Sequence, residues 1–199
     1  MKITICQDKE IWNKYLFTQK QAEFLQSWEW GEFQKSVGNE PIRLLINENE
    51  QIIGQIQGFA QKLFPFVKFV YFPRINIFDS RFPISDIFFL LKKQGYVFVR
   101  LEPLKEIKVS KDYEIISTNN RQPQNTFLLN VGPTENELLE KMHSKTKYNI
   151  GLSQRNEVEI KNEKNIDVFW KLNIETTERD KFKSHDHEYY KKMLEMENC

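Results

Sequence analysis

The run YVFVRLE (96–102) ends on Glu102, directly before Pro103. A carboxylate at the carboxyl end of an apolar strand stands where α/β proteins often keep their chemistry. Burial there favours the protonated form and fits the group to act as an acid or base. The plainer reading is an ion pair with Arg100 or Lys105. A second chemistry is offered by KMHSKTKYNIGLSQRN (141–156), which holds Lys141, Lys145, Lys147 and Arg155 and no acid. On one helix 141 and 145 share a face, with 147 to the side. Such a strip suits phosphates or another polyanion, and a solvated helix face is the bland alternative. Tyr148 beside it is placed to stack on a ring or to pack, and His143 reads as structural. A third cluster is RDKFKSHDHEYY (179–190). His185 and His187 diverge on a helix and have no further ligand at metal spacing. A phosphate contact from His185, Lys183 or Arg179 fits better, or else a polar loop leading into a helix on which Tyr189 and Tyr190 pack. The sequence has no GxSxG, no P-loop and no GxGxxG.

The elements that must position these residues follow from periodicity. A short helix is expected from residue 9. A second is capped by Ser27 and carries Trp30, Phe33 and Val37 before Gly38. IRLLI (42–46) and QIIGQIQGFA (51–60) flank NENE as a hairpin, and VKFVYFP (67–73) is a strand stopped by Pro73. Ser85 is expected to cap a helix through Asp86–Gln94 that carries Ile87, Phe88, Leu90 and Leu91 and is ended by Gly95. The strand 96–102 is apolar enough to be read as central and covered on both faces. A short strand at 113–117 and another at 126–131 (TFLLNV) are expected. Thr134 and Glu137 form a capping box for one long helix to about Ser153, followed by a strand at 157–160 and helices at 166–178 and 187–198. The order is mixed α/β. A second unit begins near 123 with helices but few strands, so the chain reads as incomplete relative to the fold it starts.

Composition narrows the class. Of 199 residues, 40% are hydrophobic and 14% aromatic, enough for a packed core. The formal net charge of +1 excludes a strongly basic nucleic-acid coat and leaves only local charge to argue from. Cys6 and Cys199 give neither a disulfide framework nor a zinc spacing. The opening MKITICQDKE does not read as a secretory signal, and no run approaches 18 apolar residues. The expectation is a soluble protein of a reducing compartment.

Five blocks, FLQSWEWGEFQK (24–35), VRLEP (99–103), QPQNTFLLNV (122–131), MHSKTKYNI (142–150) and RDKFKSHDHEYYKKM (179–193), resemble the FemA/FemB/FemX aminoacyltransferases of the peptidoglycan interpeptide bridge. The resemblance implies tandem acetyltransferase-like (GNAT) α/β domains, the first over 1–122 and the second begun over 123–199 but incomplete. It implies transfer of an amino acid from aminoacyl-tRNA to the stem peptide of a lipid-linked or UDP-linked peptidoglycan precursor. No nucleotide cofactor or metal is implied, because the ester already carries the driving energy. Glu102 matches the family's carboxylate near the acceptor. The family's phosphate-gripping lysine falls on Gln34, with Lys35 next to it. The family's phosphate-binding arginine falls on His185, which has donors at both nitrogens only when protonated. The basic strip 141–155, with Lys145, Lys147 and Arg155, matches the family's KTK region. The implied location is cytoplasmic, at the inner face of the plasma membrane, with peripheral contact through a lipid-linked acceptor. Two alternatives remain. One is an acyl-CoA-dependent N-acetyltransferase, although its Gly-rich pyrophosphate turn is not found. The other is a non-catalytic tRNA- or wall-precursor-binding protein.

Overall fold

Cross-strand pairing organises the first half of the chain. In the computed structural model, which describes residues 1–20, 22–76, 83–107 and 113–196, five strands lie side by side in sequence order. They are β1 (Lys2–Ile5), β2 (Glu40–Glu48), β3 (Gln51–Phe64), β4 (Val67–Ile75) and β5 (Tyr96–Pro103). The first three contacts are antiparallel and β4–β5 is parallel. Asn49 and Glu50 both take positive φ, 48° and 65°, and close β2 onto β3 in a turn whose twist suits a hairpin.

A parallel pair needs a crossover, and α3 (Ile84–Lys93) supplies it. Ile84, Ile87 and Leu91 recur at i, i+3 and i+7 and are buried on the sheet face formed by Leu44, Ile56, Val70 and Phe72. Each contributes about 1.5–3 kcal/mol through burial. Gly95, at φ 84°, turns the chain into β5.

The opposite face is covered by α1 (Lys9–Leu16), a 3₁₀ turn at Phe24–Gln26, and α2 (Trp28–Ser36). Asp8 caps α1 and Ser27 caps α2, the latter accepting from the Trp30 amide at 3.1 Å. A buried polar network fastens this layer to the sheet. Gln26 Nε2 donates to the carbonyls of Gln57 and Pro73, and Gln26 Oε1 accepts from the Gln57 amide at 2.6 Å. Gln57 Nε2 donates to the carbonyls of Leu25 and Ser27. Gln57 Oε1 accepts from Arg43 Nε at 2.8 Å, and the Arg43 guanidinium lies 3.6 Å over the Trp28 ring while its Nη2 reaches Glu32 Oε1.

From residue 135 the described chain is helical: α4 (Glu135–Lys141), α5 (Ser144–Arg155), α6 (Ile166–Asp180) and α7 (His187–Leu194). The capping box of Thr134 and Glu137 is formed in both directions. Phe169 meets Tyr190 at 4.9 Å, which joins α6 to α7. Phe33 meets Tyr189 at 4.9 Å and Lys192 Nζ donates to Ser36 O at 2.9 Å, which join α7 to α2. No described helix is long and apolar enough to cross a membrane.

Several expectations are corrected. Among the described residues β5 is an edge strand, not a central one, and Val97 and Phe98 are exposed. An apolar run reports what covers a strand's faces, whereas lateral position depends on which neighbours pair with it. β4 does not stop at Pro73: a register irregularity between Phe72 and Ile75, with Arg74 at φ 43°, carries the strand on to Ile75. The helix after it starts at Ile84 with Pro83 at the cap, because Ile84 itself packs into the core. Residues 113–117, 126–131 and 157–160 form no strand, since no described backbone pairs with them. The helix expected through 153 is broken at Met142 and His143, whose ψ angles of 150° and 144° are extended. His143 Nδ1 then accepts from the Lys145 amide and caps α5. Residues 197–199, including Cys199, lie outside the described residues.

Candidate functional site

Parallel pairing of β4 with β5 sets Tyr71 opposite Arg100 and places Phe69, Tyr71, Phe98, Arg100 and Glu102 on the face away from α3. Phe69 and Phe98 stack at 4.6 Å. Glu102 is nearly buried and is met by three close donors. Tyr71 Oη donates to Oε2 at 2.6 Å, the Arg121 amide to Oε1 at 2.6 Å and the Gln122 amide to Oε2 at 3.2 Å. Arg100 Nη2 stands 3.6 Å from Oε1 and also donates to Asn119 O. The Arg121 guanidinium returns over the same face, 5.0 Å from the Tyr71 ring and 5.7 Å from that of Phe69, and donates to Gln61 Oε1 at 2.6 Å. One strand-end carboxylate thus pins the polar connection 119–122 across the sheet.

Beside it opens a cleft of about 370 Å³ lined by Arg74, Glu102, Leu104, Lys105, Gln122 and neighbouring residues. Arg74 is held by both oxygens of Glu23 and donates to Pro123 O at 3.3 Å. The ion pair expected between Glu102 and Arg100 is present, but the shorter contacts come from Tyr71 and the 121–122 backbone. With these donors in place Glu102 accepts three hydrogen bonds and holds each donor in position.

Burial, and then the hydrogen bond to Glu102, push the Tyr71 phenol above its ordinary value of 10.0. Burial does the same for Tyr15, Tyr96 and Tyr189. A phenol that keeps its proton longer when folded contributes stability that is complete below pH 10 and is lost as pH rises from there toward the folded value. Chemical denaturation is therefore expected to show stability falling from about pH 10 upward, with a shallower fall in Tyr71→Phe. An identical alkaline slope in that variant would remove Tyr71 from the account.

The other two clusters are rearranged. His185 is exposed, and its ring stacks on Tyr189 at 3.7 Å with 11° between the planes. Tyr189 touches Phe33 and is hydrogen-bonded by the Gln34 side chain. Gln34 and His185 therefore meet through one tyrosine, although about 150 residues of chain separate them. Lys35, one position round α2, is exposed while Gln34 is buried. Asp186 caps α7 by accepting from the Tyr189 amide at 2.8 Å, and His187 packs edge-on against Trp170. The histidines thus face different rings.

Lys145, Lys147 and Arg155 are exposed on α5 but do not form one strip. At about 100° per residue, Lys145 and Lys147 stand about 160° apart and Lys147 and Arg155 about 80° apart. The break at 142–143 puts Lys141 on a different helix. Lys147 Nζ reaches back to Glu140 O, and Arg155 lies over Tyr148 at 5.7 Å.

Sequence reasoning missed Tyr71 and Arg121. Nothing in a β4 read alone marks Tyr71, because its role exists only once β5 is paired beside it. Arg121 had a faint signal: it is the one charged residue of NNRQPQN (119–125).

The site is a mixed five-stranded sheet whose parallel edge carries a carboxylate that anchors a connection into a helical region. Residues 111–196 of the chain match the FemAB family. Among solved structures the chain is similar to FemX, with a TM-score of 0.76 at 17% identity over 98% of this chain and 54% of that one. The fold is therefore the α/β fold of FemX, and the chain spans about half of its length. Two further matches are a probable acetyltransferase (13% identity, TM-score 0.35, 67% of this chain and 100% of that one) and a putative acetyl transferase from Pyrococcus furiosus (14%, 0.32, 61% and 99%). At these scores they do not bear on the argument. No curated protein matches the chain.

Proposed function

We propose that the chain belongs to an aminoacyltransferase that moves an amino acid from aminoacyl-tRNA onto the stem peptide of a peptidoglycan precursor, at the inner face of the plasma membrane. One observation carries the reading: four of the five blocks that resemble FemA, FemB and FemX, distant in sequence, lie against each other in two pairs. FLQSWEWGEFQK meets RDKFKSHDHEYYKKM through Phe33 and Tyr189, and VRLEP meets the start of QPQNTFLLNV through Glu102 and the Gln122 amide. The FemAB match and the FemX fold support the same reading. The division into an acetyltransferase-like unit over 1–122 and a second one beginning at 123 is part of this proposal.

The reaction needs no covalent enzyme intermediate. The acceptor amine attacks the ester carbonyl, the C–N bond forms as the C–O bond to the tRNA ribose breaks, and the proton lost by nitrogen ends on the ribose oxygen. Orientation and charge stabilisation supply the rate. Glu102 acts through what it holds, fixing Tyr71 and the backbone at Arg121 and Gln122 beside the cleft. Lys145, Lys147 and Arg155 contact donor phosphates, and His185, with Lys35 next to the Gln34 that meets Tyr189, contacts the acceptor's diphosphate.

The test is label transfer from a pool of charged tRNA to UDP-linked and lipid-linked stem pentapeptide, using the protein as its gene encodes it. RNase-sensitive label in the muropeptide is expected, and acetyl-CoA is not expected to replace the donor. Label from acetyl-CoA alone would assign the acyl-CoA alternative, and binding without transfer would assign the non-catalytic one. Within this reading, His185→Ala is expected to weaken acceptor binding several-fold, and His185→Arg to bind more tightly because a guanidinium forks onto two phosphate oxygens. Equal affinity of all three proteins would make His185 a packing residue.

A further inference from the structure

The β3–β4 hairpin projects past the rest of the sheet. The first residue of β2, Glu40, pairs with Ala60, so the segment Leu63–Val67 overhangs it. At the tip, Phe66 is 93% exposed, Phe64 65% and Leu63 57%, with Pro65 between the two phenylalanines. An apolar wedge of this kind has no reason to face water in an isolated domain. Lysines line its rim. Lys62 and Lys68 are both exposed and stand directly opposite each other in the β3–β4 register, a like-charge pairing that costs stability. Because β5 is parallel to β4 and α3 runs back between them, the end of α3 reaches the same edge of the sheet. It brings exposed Lys92 and Lys93, the latter over the exposed Phe89 ring, and exposed Val97 lies just beyond in β5. No acidic residue occurs from Gln51 to Tyr71 or from Ile87 to Leu101. Among the described residues, Glu40 in β2 is an acid at that end.

We propose that this tip is a membrane-docking wedge: Leu63, Phe64 and Phe66 enter the headgroup–acyl boundary of an anionic phospholipid bilayer while Lys62, Lys68, Lys92 and Lys93 contact its phosphates. Charge complementarity selects this occupant. Aromatic and aliphatic residues at an interfacial tip, ringed by lysines whose stems extend toward water, form the pattern that binds anionic surfaces reversibly. The paired lysines are unfavourable in the free protein and become favourable against a negative surface. The wedge lies at the start of β5 and the Glu102 cleft at its end, so docking holds the cleft about 20 Å along the strand from the bilayer. The inference stands on the tip itself and does not depend on the aminoacyl-transfer reading.

The experiment is co-sedimentation of the chain with vesicles of phosphatidylcholine alone or mixed with phosphatidylglycerol. The variants are Phe64→Ser with Phe66→Ser, and Lys62→Glu with Lys68→Glu, with circular dichroism as the folding control. Pelleting with the anionic vesicles only, weakened by salt, is expected. It should fall at least about tenfold in the double serine variant and also fall in the double glutamate variant. A Phe66→Trp reporter should blue-shift on the same vesicles. Failure of the wild type to pellet, or equal pelleting of the serine variant, overturns the proposal. Self-association that is lost in the serine variant, without vesicle binding, would assign the tip to a second copy of the chain instead.

Discussion

Replacing Gly31 with alanine is expected to detach α2 from the sheet and to lower stability by about 3–5 kcal/mol, from overpacking plus lost buried hydrogen bonds. A Cβ built there stands 2.2 Å from Arg43 Nη2 and 2.3 Å from Gln57 Oε1. Neither neighbour can yield cheaply. Arg43 is buried and held by Gln57, Glu32 and the Trp28 carbonyl, and Gln57 is held on every side. Helix propensity pulls the other way, favouring alanine by about 1 kcal/mol, and the clash outweighs it. Gly151 is the control. It lies inside α5, and an added Cβ there meets nothing closer than Arg155 Nη1 at 3.7 Å. Gly151→Ala is therefore expected to raise the melting temperature. Urea titration of the two variants checks both signs, and a stabilised Gly31→Ala would refute the network as drawn.

The second large effect separates two glutamines on one face of β3. Gln57 is fully buried, and removing its amide strands the Leu25 carbonyl and Arg43 Nε, while Ser27 O keeps the Gly31 amide. At about 1–3 kcal/mol per stranded group, Gln57→Leu should cost about 2–6 kcal/mol. Gln55, two residues earlier, is 9% exposed, and neither atom of its amide has a partner among the described residues. It lines a small crevice with Tyr15, Gln19, Glu23 and Asn76. Gln55→Leu gives up no hydrogen bond to a described residue and removes a desolvated amide, so its expected effect lies between neutral and about 1 kcal/mol stabilising. Comparable losses in the two variants would show that the buried network is not what fastens the helical layer to the sheet.

These contrasts show how far the sequence could be read. Ser27 as a cap, the β2–β3 hairpin and the Thr134–Glu137 box were legible because each depends on a few consecutive residues. So was the period that buries Ile87 and Leu91. Glu102 was legible as a position of interest because it ends an apolar run before a proline. Its partners were not, because Tyr71 and the 121–122 amides arrive from 31 and about 20 residues away. TFLLNV (126–131) shows the reverse error. Its composition favours a strand, but a strand exists only where another backbone accepts its hydrogen bonds, and no described segment does so.

The sequence by itself determined where the caps, the β2–β3 turn and the amphipathic helices of the first half fall, because capping, hairpin-turn chemistry and periodicity act within about ten residues. It also determined, through motif blocks kept in order, the family likeness. Only the tertiary structure decided that β5 is an edge, that the basic residues of 141–155 do not share a face, that Gln34 and His185 converge on Tyr189, and that a phenylalanine-bearing hairpin stands out among lysines. Each of those depends on lateral pairing, a backbone break or a contact between distant segments. These are set by the packing free energy of the whole chain, which no local window contains.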